Sequence, residues 1–254
     1  MTVFLCEGTV DGILTGVYDA WDSRLGHENV RLAIEENWNQ ELFAKSVSVP
    51  TDGTKAGKVA RTVQRELGQE TWENIYRAAL SQAEERADSI YRTIVLGLTA
   101  KKGRKDLMNH LQNPDICRVF ELSRYVWHEA HHYLGFVRFR ELQGGVLFSE
   151  IHPRARILTL LGDHFAGRYP MEHFLIYDGS HGEFLAHQAG KQWVLVQGEE
   201  PDQEKLWELG QQEEAFQKLW QVFLDTIAIE SRINPGLQLQ MLPKRFRADL
   251  TEKL

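Results

Sequence analysis

The spacing of apolar residues switches repeatedly between two periods along this chain, and that switching most limits what it can fold into. Val3 to Cys6 is a short apolar run that Gly8 ends. Thr9 and Asp11 then precede Ile13, Leu14, Val17, Tyr18 and Trp21, a helical stripe with cap residues in front of it. Val30 to Ile34 and Ser46 to Val49 alternate with period two, which suits strands. Pro50-Thr51-Asp52-Gly53 supplies a turn and an N-cap, and the pattern becomes helical. Apolar residues at 72, 75, 76, 80, 90, 91, 94, 95 and 98 predict one long amphipathic helix or two in line.

Asn113-Pro114 starts a further helix through Ile116, Val119, Phe120, Val126 and Leu134, with Gly135 expected to end it. A hairpin is expected across Phe136 to Glu150 around Gly144-Gly145, and a helix from Pro153 to about Gly167. The segments HFLIYD, GEFLAHQ and QWVLVQ read as a three-stranded meander, and 202–229 as a final helix. The resulting class is α+β, with antiparallel strands and hairpins and several amphipathic helices. No repeat or long polar linker divides the chain, so a single composite domain over 1–254 is expected.

Composition narrows the function classes. Of 254 residues, 43% are hydrophobic and 26% charged, enough for a sizeable core. Cys6 and Cys117 are the only cysteines and lack metal-site spacing, so a reducing cytoplasm is expected, with no disulfide framework. The N-terminus has no basic leader and no stretch is apolar enough to span a bilayer.

A net charge of −7 argues against non-specific coating of nucleic acid or anionic membrane. That charge is unevenly spread. Residues 101–156 hold ten Lys and Arg against six acids, about +4, whereas 199–230 hold nine acids against two lysines, about −7. Arg138 and Arg140 fall on one face of a strand by period two, and Arg154 and Arg156 follow closely. A basic middle of this kind suits phosphate contacts.

Several motifs offer chemistry. His128-Glu129-Ala130-His131-His132 matches H-E-x-x-H, in which His128 and His132 would bind zinc and Glu129 would activate water. No third ligand follows at a familiar spacing, and the histidines fall on the polar side of the stripe. Gly53-Thr54-Lys55-Ala56-Gly57-Lys58-Val59 is too short for a phosphate loop and has Val59 where Ser or Thr is needed. Thr51 and Asp52 with Lys55, Lys58 and Arg61 could still form a modest anion site. His164 and Arg168, one helical turn apart, could grip a phosphate or carboxylate. Arg232 and the cluster Pro243-Lys244-Arg245-Phe246-Arg247 read as a structural clasp or a strand-contacting arm.

Taken in order, Thr9-Val10-Asp11-Gly12, Thr51-Asp52, Lys55-Ala56, Lys58-Val59, Glu129 to Phe139, His152-Pro153, His164-Phe165 with Arg168, Ile229 to Pro235 and Pro243-Lys244-Arg245 make up a distinctive series. It resembles a bacterial family of probable DNA metabolism proteins, domain of unknown function 4130. The resemblance implies a role in DNA repair or modification beside a radical S-adenosylmethionine protein, and in some members a fused uracil-DNA glycosylase-like domain. That extension and its G-Q-D-P-Y signature are absent from this sequence.

The expected function is nucleic-acid or repair-partner binding in the cytoplasm, with no cofactor. Arg138, Arg140, Arg154 and Arg168 would contact phosphates, Arg232 and Arg245 would hold the tail, and His164 would donate a hydrogen bond. The alternatives are a nucleic-acid-processing enzyme with a pocket around Glu129, His164 and Arg168, and a zinc hydrolase at His128 and His132.

Overall fold

A computed structural model describes residues 1–39, 42–100, 104–142, 145–197 and Phe246. The chain divides into two compact units, Met1–His128 and Glu129–Leu254. The expected helix at 202–229, Arg232 and Arg245 lie outside the described residues.

In the first unit, β1 (Thr2–Cys6) is followed by α1 (Val10–Asp22), β2 (Val30–Ile34) and β3 (Lys45–Val49). The sheet order is β2-β1-β3 and both pairings are parallel. This corrects the antiparallel expectation. A helix between two strands carries the chain back to the end where the first strand began, so β1 and β2 run the same way. Alternate residues of β1 serve the two faces: Phe4 and Cys6 join the main helical core, while Val3 and Leu5 pack with Ala33, Trp38 and Ala44.

Thr9 caps α1 by accepting the Gly12 amide. Asp52 caps α2 (Gly53–Leu67) by accepting from Thr54 and Lys55. These two amides, Lys55 foremost, hold the Asp52 carboxyl below its ordinary value. The Thr15 hydroxyl donates to the carbonyls of Asp11 and Asp52 and accepts the Asp52 amide, joining the two helix starts. The anion site expected here is therefore filled by the chain itself, because Asp52 takes the helix amides and Lys55 binds Asp19 at 2.7 Å.

The apolar stripe at 72–98 forms α3 (Gln69–Ala79) and α4 (Arg86–Thr99). They separate because the Ser81 amide and hydroxyl both bond to the Ala78 carbonyl, closing off the last turn of α3. Asn113 caps α5 (Pro114–Phe136) through the amides of Asp115 and Ile116. Gly135 does not end α5 but lies inside it.

In the second unit, β4 (Arg140–Leu142) and β5 (Val146–Ile151) form the expected hairpin, and β6 (His173–Asp178), β7 (Glu183–His187) and β8 (Val194–Gln197) form the expected antiparallel meander. They make one sheet in the order β4-β5-β6-β7-β8. Its central pair, β5 and β6, is parallel, again because a helix, α6 (Leu158–Arg168), intervenes. Phe139 sets its ring edge-on to Phe165, Tyr169 and Phe174 beside this sheet. Among the described residues, no helix is long and apolar enough to cross a membrane.

Two stability outcomes follow from backbone geometry. A Cβ on Gly12 would stand 2.5 Å from the Glu7 carbonyl oxygen, so Gly12→Ala should cost about 1–3 kcal/mol in urea unfolding. Gly135 is helical and open on that side, so Gly135→Ala should stabilise by about 0.5–1 kcal/mol. Burial also separates the two thiols. Cys6 is fully buried and its thiol is pushed up to about 12, chiefly by desolvation, whereas Cys117 is half-buried. Maleimide at pH 8 should label Cys117 in native protein and reach Cys6 only on unfolding; comparable rates at both would contradict this packing.

Candidate functional site

In the second unit, the carboxyl ends of the parallel strands β5 and β6 bring two loops together, since Ile151 pairs with Asp178. Ligands favour such ends in sheets crossed by helices, where loops of different sequence origin converge. One loop is His152 to Ile157 and the other is the Asp178–Glu183 turn.

Glu129 fixes the first loop. Its side chain, from the C-terminal half of α5, is 2% exposed, and its two carboxylate oxygens accept the amides of Arg154 at 3.2 Å and Ala155 at 2.9 Å. The expected helix start at Pro153 is consequently delayed to Leu158, because 153–157 is held as a bend. His152 and Arg154 are exposed on this held segment, whereas Pro153 and Ala155 point inward.

Asp178 organises the second loop. Its fully buried carboxylate accepts the Ser180 amide at 3.0 Å and lies 2.6 Å from His181 Nδ1, whose side chain is 6% exposed. A carboxylate only accepts, so Nδ1 is the donor and the imidazole is fixed in one orientation. The Gly179 amide bonds to the Ile151 carbonyl, and a Cβ on Gly179 would meet His152 Nε2 at 2.6 Å. A glycine there lets the His152 ring close over the turn. Glu150 Oε1 is 3.5 Å from that same nitrogen. His152, Glu150, Asp178 and His181 thus gather at one edge of the sheet. The sequence reading missed His181 altogether; its only signal was the Asp-Gly-Ser turn in front of it.

The sequence-derived site residues fare differently. Arg138 donates to the carbonyls of Gly135 and Val137, which ties it to the end of α5. Arg156 is ion-paired with Glu183. Arg140 is half-buried on β4 and pairs with no carboxylate among the described residues. Arg154 and Arg168 are exposed. His164 and Arg168 share the open side of α6, where Arg168 lies over Tyr169 and His164 meets Phe165 edge-on. The pocket expected around Glu129, His164 and Arg168 is not built, because the Glu129 carboxylate is spent on backbone amides. Within α6, Gly162 is covered by the Trp193 indole, whose Nε1–H donates to Asp163 at 2.7 Å.

The zinc reading fails for the same reason. Glu129 holds a loop and is not aimed at a metal-bound water. His132 stacks on Phe136 and meets Phe246 edge-on, while His128 is exposed. Among the described residues, no group of three or more His, Cys, Asp or Glu side chains is placed to hold a metal ion. Phe246 is 1% exposed and packs against His132, Tyr133 and Phe136, so at that residue the tail cluster acts as a clasp.

These features define an α+β protein with ionisable loops gathered at the carboxyl ends of two parallel strands. Residues 84–252 match the family described as domain of unknown function 4130 (DUF4130), and the chain belongs to that family. A search of curated proteins found no match.

Removing a buried acceptor of two amides leaves both unsatisfied. Glu129→Ala should therefore lower stability by about 1–3 kcal/mol and raise amide exchange at Arg154 and Ala155, with Glu129→Gln intermediate. Unchanged exchange at those two amides would show that the loop is held by other means.

Proposed function

We propose that this protein binds nucleic acid in DNA metabolism, and that its second unit contacts phosphates at the loop edge of the sheet. The observation that carries this reading is the Glu129 clamp, which holds the backbone of exposed Arg154 next to exposed His152. A cation on a held loop loses less entropy on meeting a phosphate than one on a mobile arm. Arginine also suits phosphate oxygens through its forked donors. Arg168 and Arg140 supply further positive charge in the same unit. Arg138 and Arg156 contribute less, since carbonyls and Glu183 occupy them. A limited set of arginines on a chain of net charge −7 favours local contact over coating.

Fluorescence anisotropy with labelled single- and double-stranded oligonucleotides tests this reading. Contact by three arginines should give a slope of log affinity against log salt of about −2 to −3. Arg154→Ala, Arg140→Ala and Arg168→Ala should each weaken binding and reduce the slope by about one. Arg156→Ala should act mainly on stability, through its lost pairing with Glu183. Salt-independent binding, or no effect of Arg154→Ala, would overturn the assignment.

One observation favours a second reading, a nucleic-acid-processing enzyme at this same edge. His152 is exposed beside Glu150, while Asp178 orients His181 behind it, an arrangement suited to proton transfer. Strand scission or base release from a bound oligonucleotide that His152→Ala removes, with binding retained, would establish it. Bound but intact substrate would leave the binding role alone.

A further inference from the structure

The first unit contains a cavity of about 380 Å³, within the size range of small-ligand sites. Val17, Val63, Ile94 and Leu98 make its apolar floor. Tyr18, Trp21, Asp22, Lys58 and Thr62 complete the lining, so aromatic rings, one cation and one carboxylate meet at a single opening.

Its aromatic wall is supported from behind. Trp21 is 40% exposed, yet its ring packs on His27 at 4.7 Å. His27 Nδ1 in turn lies 2.8 Å from the hydroxyl of fully buried Tyr91. The Arg92 guanidinium bonds to the carbonyls of His27 and Val30, fixing the backbone under this stack. An exposed indole propped in this way is prepared to stack on a flat ring at little further cost in entropy.

The charged groups narrow the ligand further. Lys55 and Lys58 flank the Tyr18 ring at 5.7 and 5.5 Å, but Lys55 is committed to Asp19. Lys58 pairs with no carboxylate among the described residues, which leaves its charge for an incoming anion. The Thr62 hydroxyl donates to the Lys58 carbonyl and so presents lone pairs outward, and Asp22 accepts as well. The ligand must therefore offer a flat apolar face, an anionic group and hydrogen-bond donors. A fatty acid lacks the donors, and a neutral aromatic lacks the anion.

We propose that this cavity binds a mononucleotide, with its base stacked on Trp21, its phosphate at Lys58, and its amino or hydroxyl donors toward Asp22 and Thr62. The site is distinct from the arginines of the second unit and does not depend on the reading given to them.

Calorimetric titration of the full chain with AMP, CMP, adenosine, ribose 5-phosphate and decanoate tests the proposal. Nucleotides should bind, adenosine more weakly, and ribose 5-phosphate and decanoate at least tenfold more weakly than AMP. Trp21→Ala should weaken AMP and adenosine alike by about fivefold or more, with Trp21→Phe recovering part of the loss. Lys58→Ala should weaken AMP but leave adenosine unchanged, and Arg154→Ala should change neither. Thermal melts of each variant separate lost binding from lost folding. No nucleotide binding at millimolar concentration, tighter binding of decanoate, or AMP binding that survives Trp21→Ala in folded protein would each overturn the proposal.

Discussion

The candidate edge of the second unit depends on one buried carboxylate. Glu129 accepts two consecutive backbone amides, and this turns an irregular stretch after β5 into a defined bend. Buried amides need acceptors, and a charged acceptor makes the stronger bond. The bend delays α6, turns His152 and Arg154 outward, and sets His152 over Gly179 of the neighbouring turn. The motif containing Glu129 had two readings in the sequence, one catalytic and one architectural. Its bonding settles on architecture.

Much of the fold was legible in the residues because period two and period 3.6 leave different traces. Both N-terminal alternating segments, the hairpin and the meander lie where the spacing places them. Strand direction was harder to read, since alternation reports which face is buried and not which way the neighbour runs. The clue lay in Val10–Asp22 and Leu158–Arg168, helices between strands that force a crossover. The break between α3 and α4 was hidden for another reason: Ser81 ends a turn through its hydroxyl, a local bond that no apolar pattern records.

The site was less legible than the fold. A count of charges along 101–156 treats every arginine as equivalent, yet the structure spends them differently. Arg118 bridges Glu85 and Glu121, Arg156 pairs with Glu183, and Arg138 serves a helix end. Only partners distant in sequence distinguish these from exposed Arg154 and Arg168. His181 was missed for a related reason, since its significance comes from a buried Asp178 and from a neighbouring strand 27 positions earlier in register.

Phe246 carries a consequence for the order in which the chain acquires its shape. Its ring fills a space bounded by His132, Tyr133 and Phe136, more than a hundred positions upstream. Contacts so far apart in sequence close late, because the intervening chain must be ordered first. During synthesis the aromatic face at the end of α5 stays uncovered until residue 246 has left the ribosome. The sheet built from β4 to β8 is translated entirely within that interval, so this part of the protein must pass through a stage with a formed sheet and an open aromatic cleft.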